Sequence, residues 1–326
     1  MKNYRFISAS VVLRSVQAGG NLNNGSNAGL AARNSNNSLA NANTNNGSQL
    51  SCIYKKRADI NLAPWQNTKT LSNGISSINA KVPDDTADMK RLGNIYDEFC
   101  SIENIKKAFH NAKKGKAHYI EVKNINKNTD KYANQLHLML KNQEFKNSPY
   151  TELTKVSGGK VRIIKKVPYF PDRIVHHCIV QIMQEAWVNS LIRDTFSTIP
   201  GRGIHDGVRR VKKAMEDVGN TQYCLKLDIK KYFPSVDNEI LKTIVRKKIK
   251  DKKLLSIIDN IIDSDTGIPI GNYVSQWFGN LYLAYFDHWV KEELKCKYYY
   301  RYCDDLVLLS SNKMSCGVIW QRLGST

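Results

Sequence analysis

The run from Tyr298 to Leu309 constrains the fold most: Tyr298-Tyr299-Tyr300-Arg301-Tyr302, then Cys303-Asp304-Asp305, then Leu306-Val307-Leu308-Leu309. Aromatic and β-branched residues favour strands, and a charged break between two apolar runs marks a tight turn. A hairpin over residues 296–311 is therefore predicted, with two carboxylates at its tip. Adjacent aspartates repel one another and are costly to bury unpaired. The tip is either a solvated surface turn or a cation site. A third acid decides between them. Tyr223-Cys224-Leu225-Lys226-Leu227-Asp228-Ile229 alternates as a strand and carries Asp228 near its end. Such an Asp could also be a helix N-cap. Two acid-bearing strands in one chain favour two-metal phosphoryl transfer, because magnesium takes one or two carboxylates plus substrate phosphates.

Charge agrees with a polyanionic partner. The chain has 49 Lys+Arg against 29 Asp+Glu, a formal net charge of +20. Phosphate neutralisation with counterion release makes such an excess useful. The basic runs Lys106-Lys107, Lys113-Lys114, Lys165-Lys166, Arg209-Arg210-Val211-Lys212-Lys213 and Arg246-Lys247-Lys248 are spread along the chain. Some are ordinary solvated helix faces. Phe109, Tyr169, Phe170 and Trp277 lie near basic residues, and the core is their expected place. Seven cysteines without a Cys-x-x-Cys pair read as reduced thiols with no zinc site. His176-His177, in an apolar helix, reads as a structural pair. No apolar run has membrane-spanning length, and a cytoplasmic protein is expected.

These motifs, in this order, resemble the reverse transcriptases. Asp228 to Phe233 resembles their motif A, and Tyr302 to Asp305 their Tyr-x-Asp-Asp motif C. Gly267-Ile268-Pro269-Ile270-Gly271-Asn272-Tyr273-Val274-Ser275-Gln276 resembles motif B. Gly158-Gly159-Lys160-Val161-Arg162 resembles the fingers hairpin. Pro171-Asp172-Arg173 and Pro200-Gly201-Arg202-Gly203 resemble two further blocks of the bacterial enzymes. The resemblance covers roughly residues 95–313.

The resemblance implies site roles. Asp228, Asp304 and Asp305 are the expected catalytic residues, holding two magnesium ions (manganese as a substitute) with help from the Ile229 carbonyl. Lys160 and Arg162 are expected to neutralise the incoming triphosphate. Phe233 is expected to select deoxynucleotides by blocking a 2′-hydroxyl, unless its ring only packs the core. Gly271, Ser275 and Gln276 are expected beside the nucleotide, and Tyr302 at the primer end. Implied partners are an RNA template, a DNA or RNA primer and deoxynucleoside triphosphates.

Motif B narrows the resemblance. Ile270 stands where most of the family has Gln, and Gln276 where most has Pro. Ile-Gly-x-x-x-Ser-Gln is typical of the reverse transcriptases of diversity-generating retroelements, which miscopy template adenines for mutagenic retrohoming. Ile270 is the expected fidelity residue, because an alkyl group removes hydrogen bonds beside the nascent base pair. The alternative is that Ile270 packs the next helix. This narrower resemblance also implies a basic, oligomeric accessory variability protein. Two other readings stand beside it: a group II intron-like or retron-like reverse transcriptase, and an inactive basic RNA-binding remnant.

The predicted fold is α+β: right-hand fingers and palm, an antiparallel palm sheet packed on helices, no thumb. Residues 1–50 are Asn-rich, with Asn at 11 of the 26 positions from Asn21 to Asn46. They resemble an in-frame template repeat and are expected to be disordered. Residues 51–94 read as a polar linker, 95–215 as fingers, and 216–313 as palm. Residues 314–326 form an atypical tail, and the chain is expected to be incomplete. Within this layout a Ser101-capped helix ended by Gly115 is predicted, with helices at 172–191, 240–262 and 275–291.

Overall fold

The computed structural model describes residues 7–12, 16–17, 49–52, 55–60, 91–157 and 160–312. They form an α+β fold, as expected, divided into two compact units.

The first unit includes Leu62–Arg193 and Lys231–Trp289, and its described residues are mainly helical. Its centre is the helix Ile174–Asn189, whose Ile174, Cys178, Ile179, Met183 and Trp187 are buried. The helix Ile102–Ala112 packs beside it through Ile105, Ala108, Phe109 and Ala112, spaced three and four apart on one face. Ser101 caps that helix as predicted, its side chain accepting from the Asn104 amide at 3.1 Å. The last helical residue is Ala112, and Gly115 turns the chain beyond it at φ +69°. Asp251 serves two helix starts at once. It caps Lys252–Ile262, and its Oδ2 accepts from the Ile95 and Tyr96 amides at 3.0 Å each, ahead of the helix Tyr96–Phe99.

Phe109, Tyr169 and Trp277 are core residues, each 2 % exposed or less. Phe170 stacks on Phe109 at 6.3 Å. His176 and His177 are buried, and burial pulls each imidazole down to about 3. His177 stacks on Tyr273 at 3.9 Å, but both His176 ring nitrogens and His177 Nε2 are buried without a hydrogen-bond partner, so the pair is not the satisfied one expected. The predicted helix 275–291 is instead two helices, Ser275–Tyr282 and Ala284–Glu292. They break at Leu283, whose carbonyl accepts from the Asp287 amide and starts the second.

The second unit comprises Ile7–Asn61, Asp194–Lys230 and Val290 onward. Its strands are β1 (Ile7–Val12), β2 (Val16–Gln17), β3 (Gln49–Cys52), β4 (Lys55–Ile60), β7 (Thr195–Phe196), β8 (Tyr223–Lys230), β9 (Tyr298–Tyr302) and β10 (Asp305–Ser310). The first unit contributes β5 (Thr151–Ser157) and β6 (Lys160–Lys166) as a separate hairpin. The sheet order is β2-β3-β8-β10-β9-β7. One edge of β8 pairs antiparallel with β10; the other takes β1 antiparallel and β3 parallel. Disorder was expected for residues 1–50 and a linker for 51–94, yet β1 to β4 are strands in both stretches. The backbone ladder of β8 takes β1 and β3, which in turn pair with β4 and β2. The Asn-rich run from Asn21 to Asn46 lies outside the described residues. Residues 194–215, expected in the fingers, belong with this sheet.

Candidate active site

The acid-bearing sheet is built by alternation. Leu225, Leu227 and Ile229 of β8 are 1 % exposed or less, so Lys226 and Asp228 occupy the opposite face. On β10, Leu306 and Leu308 are buried, leaving Asp305 and Val307 on the face shared with Asp228. The ladder sets Asp305 directly opposite Asp228. Sequence-distant acids thus meet as a cross-strand pair, a placement that is unfavourable without a positive partner. Lys226 is one such partner: its Nζ lies 3.1 Å from Asp305. Asp304 sits in the turn, its carbonyl accepting from the Ile229 amide at 3.2 Å.

The turn is held from behind. Arg301 is fully buried, and its Nη1 donates to the Cys303 carbonyl at 3.0 Å. Cys303 adopts φ +53°, and its thiol donates to Ser197 at 3.1 Å. Burial pushes that thiol up, and the adjacent Asp304 and Asp305 charges push the same way, so it stays protonated at neutral pH. Asp194 ties in the neighbouring elements. Its carboxylate pairs with Arg210 at 2.6 Å and Lys291 at 3.0 Å, while its carbonyl accepts from the Arg301 amide. The helix Ile204–Met215 covers one end of the acid face through Val211, Ala214 and Met215, packing with Tyr300, Val307 and Leu309. Tyr302 lies opposite Asp305 on the same face and is 36 % exposed.

Whether this set fits magnesium is a question of donors. Asp228, Asp305, Asp304 and the Ile229 carbonyl are all hard oxygen donors. Among the described residues, no three His, Cys, Asp or Glu side chains close on one point as a finished metal cage. A pair of carboxylates on neighbouring strands nonetheless suits an ion that takes its remaining ligands from water and phosphate.

The residues expected beside the nucleotide lie in the first unit, joined by backbone contacts. The Lys165 amide of β6 donates to the Ile270 carbonyl at 2.8 Å. Lys165 Nζ pairs with Asp265 at 2.6 Å, and the hydrogen bond it donates to that carboxylate raises the lysine pKa. Gly271 has φ +126°, and a Cβ there would lie 2.7 Å from the Lys165 carbonyl oxygen. The need for glycine at this position is thus met inside the protein, by β6. The other end of the loop is fixed to Phe233, whose carbonyl accepts from the Ile268 amide at 2.8 Å. A Cβ on Gly267 would lie 2.7 Å from the Phe233 and Pro234 carbonyl oxygens. Asn238 holds the preceding turn, donating to the Ile262 and Asp265 carbonyls and accepting from the Gly267 amide.

Phe233 is half-buried, its ring against Gly279 and Tyr232, so packing accounts for part of it and leaves part free. Ile270 is 36 % exposed, unlike a core residue, and Gln276 is exposed while Ser275 is buried. Arg162 is exposed on β6, and Lys160 pairs in register with Ser157 at the hairpin end. Sequence reading missed Lys226, Arg301, Asp194 and the Lys165–Asp265 pair. The signals available were a charged residue inside an apolar strand, for Lys226 and Arg301, and a basic pair at a strand end, for Lys165.

Comparison with known proteins follows the same lines. Residues 153–325, more than half of the chain, match the family described as "Reverse transcriptase (RNA-dependent DNA polymerase)". The match begins later than residue 95 and continues past Lys313 through the tail. Protein YkfC of Escherichia coli (strain K12) is 26 % identical over 149 residues, covering 42 % of this chain and 39 % of that protein. Group II intron-encoded protein LtrA of Lactococcus lactis subsp. cremoris is 25 % identical over 158 residues, covering 45 % of this chain and 25 % of that protein. Nuclear intron maturase 1, mitochondrial, of Arabidopsis thaliana is 26 % identical over 107 residues, covering 32 % of this chain and 15 % of that protein. The aligned segments thus span well under half the length of these relatives. A chain of a partial Cas6-RT-Cas1--Cas2 complex aligns at TM-score 0.38 and 13 % identity, covering 67 % of this chain and 38 % of that one.

Proposed function

Because the chain belongs to the reverse transcriptase (RNA-dependent DNA polymerase) family, we propose that it copies RNA into DNA by nucleotidyl transfer at Asp228, Asp304 and Asp305. The observation that carries this reading is the register of β8 and β10, which sets Asp228 opposite Asp305. These acids, with the Ile229 carbonyl, would hold two magnesium ions. When bound, the ions would supply activation of a primer 3′-hydroxyl and charge neutralisation on the leaving pyrophosphate. The protein's own part is placement. β8 and β10 fix the carboxylates, Arg301 and Ser197 brace the turn, and Tyr302 offers an exposed ring to the primer end. Lys160 and Arg162 would take the triphosphate, and Phe233 would screen the sugar. RNA template, primer and deoxynucleoside triphosphates are the proposed partners, and the cytoplasm the proposed compartment.

Within this activity, the finer reading is that of a diversity-generating retroelement enzyme, error-prone at template adenines and working with a basic accessory protein. The exposed Ile270 side chain supports it, since the packing alternative required burial. The names of two relatives, a group II intron-encoded protein and an intron maturase, favour the intron-like alternative. Primer extension on a defined RNA template separates these readings. Magnesium-dependent product should fall at least ~100-fold in Asp228→Asn. Product that is faithful opposite adenine, and unchanged in fidelity by Ile270→Gln, would support the intron-like reading. Absence of product from the parent chain, with Asp304→Ala no different, would leave the RNA-binding remnant.

A further inference from the structure

A surface of the first unit that takes no part in holding the acids lies in the turn between the helices Ile102–Ala112 and Ile120–Lys127. Tyr119 is 48 % exposed there, and Ile120, beside it, 76 %. A single exposed apolar residue needs no explanation. This one is assembled. The His118 ring lies against Tyr119 with centroids 4.1 Å apart. Two ammonium groups, Lys116 and Lys166, approach the Tyr119 ring from different segments, each 5.6 Å from its centroid. Lys166 ends β6, two register pairs from Ile164 and four from Arg162, so it continues the hairpin face that carries Arg162.

The ring attracts each ammonium, but the gathered cations repel one another in the free protein. Burial, then the nearby Arg173 and Lys166 charges, lowers the Lys116 pKa below that of an ordinary lysine. An anion relieves this crowding, and a flat ring gives a base a face to stack on. The turn is also pre-set: the Tyr119 amide donates to the Lys116 carbonyl at 3.1 Å. Glu121, two residues on, accepts from the Tyr169 amide at 2.9 Å, which anchors the helix start.

From this geometry we infer that Tyr119 and His118 form a stacking platform for a single-stranded nucleic acid, with Lys116 and Lys166 on its flanking phosphates. On the polymerase reading the strand is unpaired template RNA, so that assignment of the strand rests on the proposed function. Bases stack without regard to sequence, so the platform accepts any base.

The test is fluorescence anisotropy of the full chain with a labelled, unstructured RNA 15-mer and a DNA 15-mer of the same sequence. Tyr119→Ala should weaken binding by about 5- to 150-fold, while Tyr119→Phe, which keeps the ring, should stay within about 2-fold. The double variant Lys116→Ala/Lys166→Ala should flatten the slope of log affinity against log salt by about 1.4. Preference for the RNA identifies template; equal binding identifies the shared single-strand chemistry. Unchanged affinity in Tyr119→Ala, with a melting curve matching the parent, overturns the platform. Primer extension by the same preparations separates the two readings. Synthesis with Tyr119-independent binding sinks the platform alone, and Tyr119-dependent binding without synthesis sinks the polymerase alone.

Discussion

The acid-bearing sheet and the loop-and-hairpin region of the helical unit place their side chains by different means. In the sheet, one backbone ladder does it. Once β8 and β10 pair, strand alternation puts Asp228, Asp305 and Lys226 on one face with no further instruction. In the helical unit, Ile270, Gly271 and Phe233 are placed by contacts between short irregular segments. Lys165 reaches Asp265 and the Ile270 carbonyl, Asn238 reaches two carbonyls, and the Ile268 amide reaches Phe233. The first arrangement tolerates side-chain exchange. The second depends on close backbone approach and should not.

Asp305→Asn is the sharpest probe of the first arrangement. Synthesis should drop at least ~100-fold, with the melting temperature within about 2 °C of the parent, since the ladder needs no carboxylate. A large loss of stability would show that the acids themselves hold the sheet. Gly271→Ala probes the second. Its Cβ would meet the Lys165 carbonyl at 2.7 Å, in a backbone conformation that alanine resists. A loss of about 1–3 kcal/mol in denaturant titration is expected, together with weaker nucleotide binding. A neutral result would mean that β6 moves away from the loop freely.

The buried histidines provide a pH test confined to the helical unit. His177 titrates at about 3 when folded against 6.5 ordinarily, so between these values the unfolded chain binds the extra proton. Its contribution is fully present above pH 6.5 and fades as pH falls toward 3. Thermal melts should show His177→Phe, which keeps a ring against Tyr273, losing less stability than the parent between pH 6.5 and 4. The difference in slope should be no more than about 1.4 kcal/mol per pH unit; identical slopes would refute the assignment. Cys303→Gly should have the smallest effect. Relief of the left-handed backbone and loss of the thiol–Ser197 hydrogen bond oppose one another, and a net change within about 1 kcal/mol is expected by chemical denaturation.

This contrast explains what was legible in the sequence. The hairpin at Tyr302–Asp305, the strand ending near Asp228 and the Ser101 cap are local patterns, and each formed where its period or capping residue placed it. The α+β class followed from them. Lys165–Asp265 joins residues 100 apart, and Arg301 hides its charge inside a strand that reads as aromatic. Period and composition report which face a residue takes, and they are silent on which distant segment it meets. β1 and β3 are the clearest case: both lie in stretches expected to be disordered or linker, and both pair with β8. Tyr119 escaped notice for another reason. Its platform needs Lys166 from β6, and no window of sequence contains both.

The double duty of Asp251 has a consequence for the order of assembly. Its carboxylate accepts from the Ile95 amide across 156 residues of chain, and Leu92 bridges to Ile249 beside it. During synthesis the helix at Tyr96 leaves the ribosome early, but its start stays uncapped until Asp251 emerges. At ~5–20 residues per second that interval is roughly 8–30 s. The earliest-made helix among the described residues of this unit is therefore among the last to be closed, and a nascent chain stalled before Asp251 should show that segment open to proteolysis while the helix Ile102–Ala112, capped by its own Ser101, resists.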